Sequence, residues 1–444
     1  MELTKLQNRK DLFATLLNQM WKFVSGPITM LLIPLFLTEV QQGYWYLFGS
    51  IASLSTFADL GFSNIILQFS AHEFAFLSFE ESGVIIGDNN HLKKLGSFFR
   101  FSLKWLAFVS LVAYPIIFIV GIIYFIRDDV VGIYIIPWII FSTGSLINFY
   151  NNSILSFIEG LNKIEKVQKI RFKVSIINTT IIALLLILHL NIYALAVAMF
   201  VSSSTIFVSL FGTFKKVLVQ LLDVSKIYKY DWKKEVLPLF TKYALSSITV
   251  FFTLYIYTPI MHLYHGPIYS GKVGLSFTIV NAIFGIANIW IYTITPTLNM
   301  LVEQKNWKEM DRLFCRRLSF SCITYIFIVF CMIICFKINN VFEIAILQKI
   351  LSRCFPLWSI MFLAGAYFIN IFANAAGVYL TAHKKIPFLI PNIISSIFIF
   401  ISTIIIAKFL KPEFFFLGTF ITYFIFLFVD IVIFQRCRRN WHNG

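Results

Sequence analysis

Residues 18–30 read NQMWKFVSGPITM, and the apolar run continues as LLIPLFLT to Thr38. A hydrophobic stretch of this length is a membrane span, since about 20 helical residues cross the hydrocarbon core. Yet Lys22 stands inside it. A charged side chain at the centre of a span costs about 3 kcal/mol on insertion scales. Either the ammonium group reaches back to water, or it faces something that needs a positive charge.

The rest of the chain repeats the span. It is 59% hydrophobic and 18% aromatic, and only 13% charged, against roughly 25% charged in a soluble domain. Twelve spans are read, at 16–38, 44–70, 105–126, 133–159, 174–190, 192–214, 236–262, 272–301, 319–337, 354–382, 387–409 and 414–434. The class is an all-α polytopic membrane protein. With the N-terminus inside, 28 of the 37 Lys and Arg fall on inside segments and seven on outside ones. Short cytoplasmic loops are enriched in these residues, so both termini are expected in the cytoplasm. The net charge of +16 is then topological and calls for no nucleic acid. A polar start, MELTKLQNRKD, without a small-residue cleavage site reads as no removable signal peptide.

Several function classes drop out. No outside loop exceeds roughly 20 residues, which leaves no room for a soluble catalytic domain, and no GxxxxGK[ST] phosphate loop occurs. The six cysteines lack CxxC spacing, and no His, Cys, Asp or Glu cluster has metal-ligand spacing, so no cofactor or metal is expected. A transporter is the expectation, not an enzyme.

The two halves echo each other. Lys22 and Lys242 open KFVSGPIT and KYALSSIT, and NFYNN at 148–152 lies against NIFAN at 370–374 at nearly the same offset. Two six-span lobes are implied, 1–214 and 236–444, joined by a cytoplasmic linker at 215–235. Six is even, so the repeats are parallel, a plan in which substrate passes between lobes.

Helical spacing gathers polar residues into stripes. Lys22 aligns with Ser25 and Thr29; Lys242 with Ser246 and Thr249; Ser55, Asp59 and Ser63 with one another. Asn148 aligns with Asn152, Asn281 with Asn288, and Asn370 with Asn374. Stripes of this kind should line a hydrated interior rather than face lipid. Each lysine lies ~10 Å inside the cytoplasmic edge, a distance that much of a snorkelling stem can cover. The stripes and their repetition favour a cationic vestibule for an anion. Asp59 has two readings: an ion pair with Lys22 or another cation, or a proton or sodium coupling site. Glu159, beside a basic loop, reads as a surface pair, and Asp430 as structural. His262 and His265 flank a short outside loop, where exposed imidazoles are the default.

Residues 33–73, IPLFLTEVQQGYWYLFGSIASLSTFADLGFSNIILQFSAHE, carry a resemblance through GYW, DLGFS and AHE. The stretch resembles bacterial O-antigen repeat-unit flippases, in the polysaccharide-transporter branch of the multidrug/oligosaccharidyl-lipid/polysaccharide exporter superfamily. The resemblance implies a MATE-like fold in the bacterial inner membrane. It implies translocation of undecaprenyl-pyrophosphate-linked oligosaccharide from the cytoplasmic to the periplasmic leaflet by alternating access. Lys22 and Lys242 would then meet pyrophosphate, the Asn and Thr stripes sugar hydroxyls, and Tyr44, Trp45 and Trp290 sugar faces. Other polysaccharide-assembly proteins are implied as partners. The rival reading is a cation-coupled multidrug exporter of the same superfamily.

Overall fold

The structure, a computed structural model, describes residues 2–228 and 230–442. Its backbone forms two compact units, Met1–Leu32 with Phe48–Phe251, and Ile33–Leu47 with Phe252–Gly444.

Helix α1 (Glu2–Phe36) begins in the first unit and ends in the second. At 35 residues it is ~52 Å long, enough to cross a bilayer with a turn or more to spare at each side. The next helix, α2 (Glu39–Ala52), starts with a reciprocal cap. Thr38 N–H donates to Gln41 Oε1 at 3.0 Å, and Gln41 N–H to Thr38 Oγ1 at 3.2 Å. This is the capping box that a Thr-x-x-Gln spacing encodes.

The second span is broken. After α2 come α3 (Ser55–Asp59) and α4 (Phe62–Phe74), with a 43° bend between the halves. Leu60 and Gly61 between them both have left-handed backbones, at φ 42° and 75°. A hairpin, β1 (Leu77–Phe79) and β2 (Ile85–Gly87), then leads to α5 (Asn89–Arg127). Asp88 caps α5, accepting from the N–H groups of Asn90 and His91 at 2.8 and 3.0 Å. The first unit continues with α6 (Val131–Gly160), α7 (Ile164–Ile187), α8 (Tyr193–Ile227) and most of α9 (Lys233–Leu254).

Helix α8 packs on α5, α6 and α7 and runs straight through positions 215–227. Those residues extend the sixth span as continuous helix. The Gln220 amide clasps the hairpin there, its Oε1 accepting from Ile85 N–H at 2.8 Å and its Nε2 donating to Ile85 O at 2.7 Å. Trp232 is buried in the same unit, its ring 4.9 Å from that of Phe98 and edge-on to Phe69. At the other end of the unit Trp138 lies against Phe48, Phe125 and Phe141. It fits there because Gly121 has no side chain: a Cβ would come within 2.4 Å of the indole.

In the second unit α10 (Tyr257–Tyr292) packs on α12 (Trp307–Phe342) and α14 (Leu357–Thr381), with α11 (Thr295–Glu303) between. A short α13 (Ala345–Ser352) precedes α14, and α15 (Leu389–Phe409) and α16 (Leu417–His442) complete the unit. Sequence reading placed a loop at 263–271; the structure has helix there, kinked at Gly266 (φ 81°). Pro267 excludes the α conformation from the residue before it, and glycine tolerates the positive φ. The seventh span accordingly ends at Leu254 rather than near 262.

Among the described residues, nine helical stretches are long and apolar enough to cross a membrane, ten if the bent second span counts as one. One stretch, 233–303, has 71 residues. At ~107 Å of helix it holds two crossings, α9 and α10. Helix α1, where the first expected span lies, is not among these stretches.

Candidate functional site

In the first unit the polar face of α1 leads to a relay. Asn18, one turn before Lys22, is 1% exposed and donates through Nδ2 to Gln168 Oε1 at 2.8 Å. Gln168 Nε2 donates to Glu159 Oε1 at 2.8 Å, and the Arg171 guanidinium pairs with the same oxygen at 3.0 Å. Glu159 is thus ion-paired as expected, but with its side chain 11% exposed it is not the surface pair expected of it. Beside this relay lies a cavity of about 760 Å³, with Thr15, Glu159, Asn162 and Gln168 against an apolar wall of Leu67, Ala71 and Phe74.

Lys22 itself is exposed and has no ion-pair partner among the described residues; the charges acting on it are those of Arg171 and Glu159. Ser25 is buried and Thr29 half-buried. Their hydroxyls turn back on their own helix, Ser25 Oγ to Lys22 O at 3.5 Å and Thr29 Oγ1 to Ser25 O at 3.1 Å. The side chains of Lys242 and Ser246 lie outside the described residues. Thr249 Oγ1 donates to Leu245 O at 3.1 Å.

Asp59 occupies the break in the second span. Its Oδ1 accepts from Ser63 N–H at 3.2 Å and from Ser63 Oγ at 2.6 Å, and Ser63 Oγ lies 3.3 Å from Ser153 Oγ. A carboxylate here satisfies an orphan donor of the first turn of α4 and meets the positive end of its dipole. Of the two readings of Asp59, an ion pair with Lys22 is not formed. Close packing holds the break: a Cβ on Gly61 would come within 2.7 Å of Tyr243 Cβ, and the Tyr243 hydroxyl accepts from Gln68 Nε2 at 2.6 Å.

On α6, Asn148 is half-buried and Asn152 exposed, and neither makes a hydrogen bond among the described residues. Asn151 between them is fully buried, donating to Ser203 O on α8 at 2.7 Å. It packs helices together. Asn18 and Gln168 were also missed by the stripes, although Asn18 lies four residues before Lys22 and so on its face.

In the second unit two expected residues do meet. Asn374 Nδ2 donates to Asn288 Oδ1 at 2.7 Å, and Tyr292 OH donates to Asn374 Oδ1 at 3.3 Å. Asn288 is fully buried and also bonds back to Phe284 O at 2.9 Å. Asn370 and Asn374 line a cavity of about 310 Å³ with Thr381 and Asn392. Asn281 stands exposed, away from this cavity's lining.

The aromatic readings change. Tyr44 is fully buried, edge-on to His262, and Trp45 is 6% exposed. Both are packing residues, inaccessible to a sugar face. Gly43 explains why: a Cβ there would fall 2.0 Å from Pro267 O, so the GYW segment is wedged against the α10 kink. Trp290 stays partly exposed, its Nε1 donating to Thr324 Oγ1 at 3.0 Å. His262 is buried too, 3.1 Å from Ser270 Oγ, and His265 lies 2.8 Å from Ala407 O. Neither is the exposed loop imidazole expected. Among the described residues no three His, Cys, Asp or Glu side chains could hold a metal ion.

No protein-family model matches the chain, and no curated protein matches it in sequence. Solved structures do match. An inward-facing multidrug resistance MATE family transporter of the MOP superfamily aligns with a TM-score of 0.62 at 13% identity, over 95% of this chain and 96% of that one. A MATE protein in the straight conformation gives 0.59 at 12% identity, over 99% and 96%. An outward-facing MATE transporter gives 0.54 at 13%, again over 99% and 96%. The likeness runs the whole length of the chain, and at these identities it concerns the fold: the chain has a MATE-like fold.

Proposed function

We propose that the protein is a transporter, and specifically a flippase for undecaprenyl-pyrophosphate-linked O-antigen or related oligosaccharide units. It would act by alternating access in the bacterial inner membrane, with both termini cytoplasmic. The observation that carries this reading is Lys22, an exposed ammonium on the long helix α1 with no carboxylate paired to it among the described residues. An uncompensated cation on a polar helix face suits an anion, and an ammonium binds phosphate as a point charge. Asp59, a carboxylate that one reading paired with it, is committed to Ser63. Amide and hydroxyl groups without formal charge, at Asn370, Asn374 and Thr381, suit sugar hydroxyls. A pyrophosphate with two negative charges moving outward gains ~4–5 kcal/mol at 100 mV, inside negative.

A second reading, a cation-coupled multidrug exporter, is favoured by two of the fold neighbours, which are multidrug resistance transporters. A pocket for cationic drugs would place unpaired carboxylates where this chain has Lys22. The test is deletion of the gene in its host, with lipid-linked oligosaccharide measured by leaflet alongside surface polysaccharide. Repeat units should accumulate on the cytoplasmic side, cleared by wild type and not by Lys22→Ala/Lys242→Ala. Intact surface glycan without the gene would end the flippase reading and make drug export the next assay.

A further inference from the structure

One carboxylate in the spans lacks any such commitment. Asp430, on α16, is 6% exposed, and its Oδ1 has no hydrogen-bond partner within the structure. No Lys, Arg or His pairs with it among the described residues. Helix α16 packs chiefly on α14 and α15, and also meets α12 at Phe314 and Asp311 and α10 at Tyr257. From α14 the ionisable groups on this side are Tyr367, whose ring lies 6.5 Å from that of Tyr423, two turns before Asp430 on α16, and Tyr379, whose hydroxyl donates to Asp311. The one ionisable residue of α15, Lys408, is exposed near its C-terminal end. In the other direction Phe434 closes the face, packed on Phe372 and Tyr379. Beyond it lies the Asp311–Arg438 pair, and Arg438 is eight residues, ~12 Å, from Asp430. Nothing on these faces compensates a negative charge.

A buried carboxylate without a cation or donor is not kept ionised; it takes up a proton instead. A metal cation is a poor alternative, since hard cations collect several oxygen ligands and Asp430 has none beside it. We propose that Asp430 is a proton-binding site, loaded in the conformation described here and emptied when its face is hydrated, so that its proton exchanges against export. The step is a simple protonation, carboxylate plus proton to carboxylic acid, with no other reactant. The coupling half of this proposal rests on the transporter reading above. The proton site itself does not.

The test is infrared spectroscopy of the full-length protein in proteoliposomes at neutral pH, with carbon-13 aspartate labelling to assign the protonated-carboxyl C=O band. A labelled band should be present in wild type, absent in Asp430→Asn, and replaced by an unlabelled carboxyl band in Asp430→Glu. No labelled band in wild type, or one unchanged in both variants, overturns the proton site. The label marks every aspartate of the chain, so the assignment to Asp430 rests on the variants, and Asp430→Glu, which keeps a carboxyl at the site, supplies it even if Asp430→Asn fails to fold. Surface glycan in the deletion host reads coupling separately: Asp430→Asn should fail to restore it and Asp430→Glu should restore part. Full restoration by Asp430→Asn overturns coupling and leaves a structural proton. Intact glycan in the deletion strain itself overturns the transport reading, and with it coupling, while the infrared result still decides the site.

Discussion

Asp59 shows how one residue reads differently once its backbone is known. On a continuous helix Ser55, Asp59 and Ser63 form a stripe, and a carboxylate in such a stripe invites a coupling role. The structure breaks the helix at Leu60 and Gly61, and Asp59 caps the start of α4. The glycine in DLGFS was the available signal, since a lone glycine in a helical pattern often marks a break. Asp59→Ala should therefore destabilise the protein by about 1–2 kcal/mol, the usual cost of losing a cap, while Asp59→Asn should keep both stability and transport. Thermal unfolding with the glycan assay separates the two; loss of transport in a stable Asn variant would restore a coupling role. The GYW motif is likewise packing rather than ligand contact. Gly43→Ala has backbone, not a flexible side chain, in its way. The expected result is a sharp fall in monodisperse protein on size exclusion, not a change in substrate preference.

At the scale of elements, hydropathy found the spans and missed what joins them. It placed an outside loop where Gly266 and Pro267 only kink a helix, and ended the sixth span at 214 where α8 continues to Ile227. Apolar runs announce crossings. Kinks and extensions depend on side chains such as Gln220 and Trp232, whose partners lie far off in sequence. The ends of α12, α14 and α16 are joined the same way. Asp311 takes Arg438 Nη2 at 2.5 Å and the Tyr379 hydroxyl at 2.6 Å, while His442 stacks on Trp307 with ring centres 4.4 Å apart. His383 and His442 are both held below the usual imidazole range, chiefly by burial. Their neutral forms belong to the folded state, so the stability they lend is complete above about pH 6.5 and lost as pH falls through their lowered values. Acidification to about pH 5 should lower the melting temperature more in wild type than in His383→Gln/His442→Gln. Equal falls would exclude these imidazoles as the cause.

At the scale of the molecule, composition was enough for an all-helical membrane protein, and the MATE-like neighbours span its full length. Which polar residues share a site was only half legible. Asn288 and Asn374 meet, but Asn151, adjacent to a chosen residue, is the buried one, because spacing gives relative phase around a helix and not which face turns inward. The division of the chain into units has a consequence for its connectivity. Residues 33–47 leave the first unit for the second and return, and α9 passes over again at Phe251, so the backbone crosses three times rather than once. A cut between 229 and 230 therefore severs no boundary: it strands Trp232 and 233–251 on the wrong fragment, and 33–47 on the other. Fragments 1–229 and 230–444 should each aggregate when made alone and co-purify when made together. They behave like two lengths of one lacing, neither of which can be tied without the other.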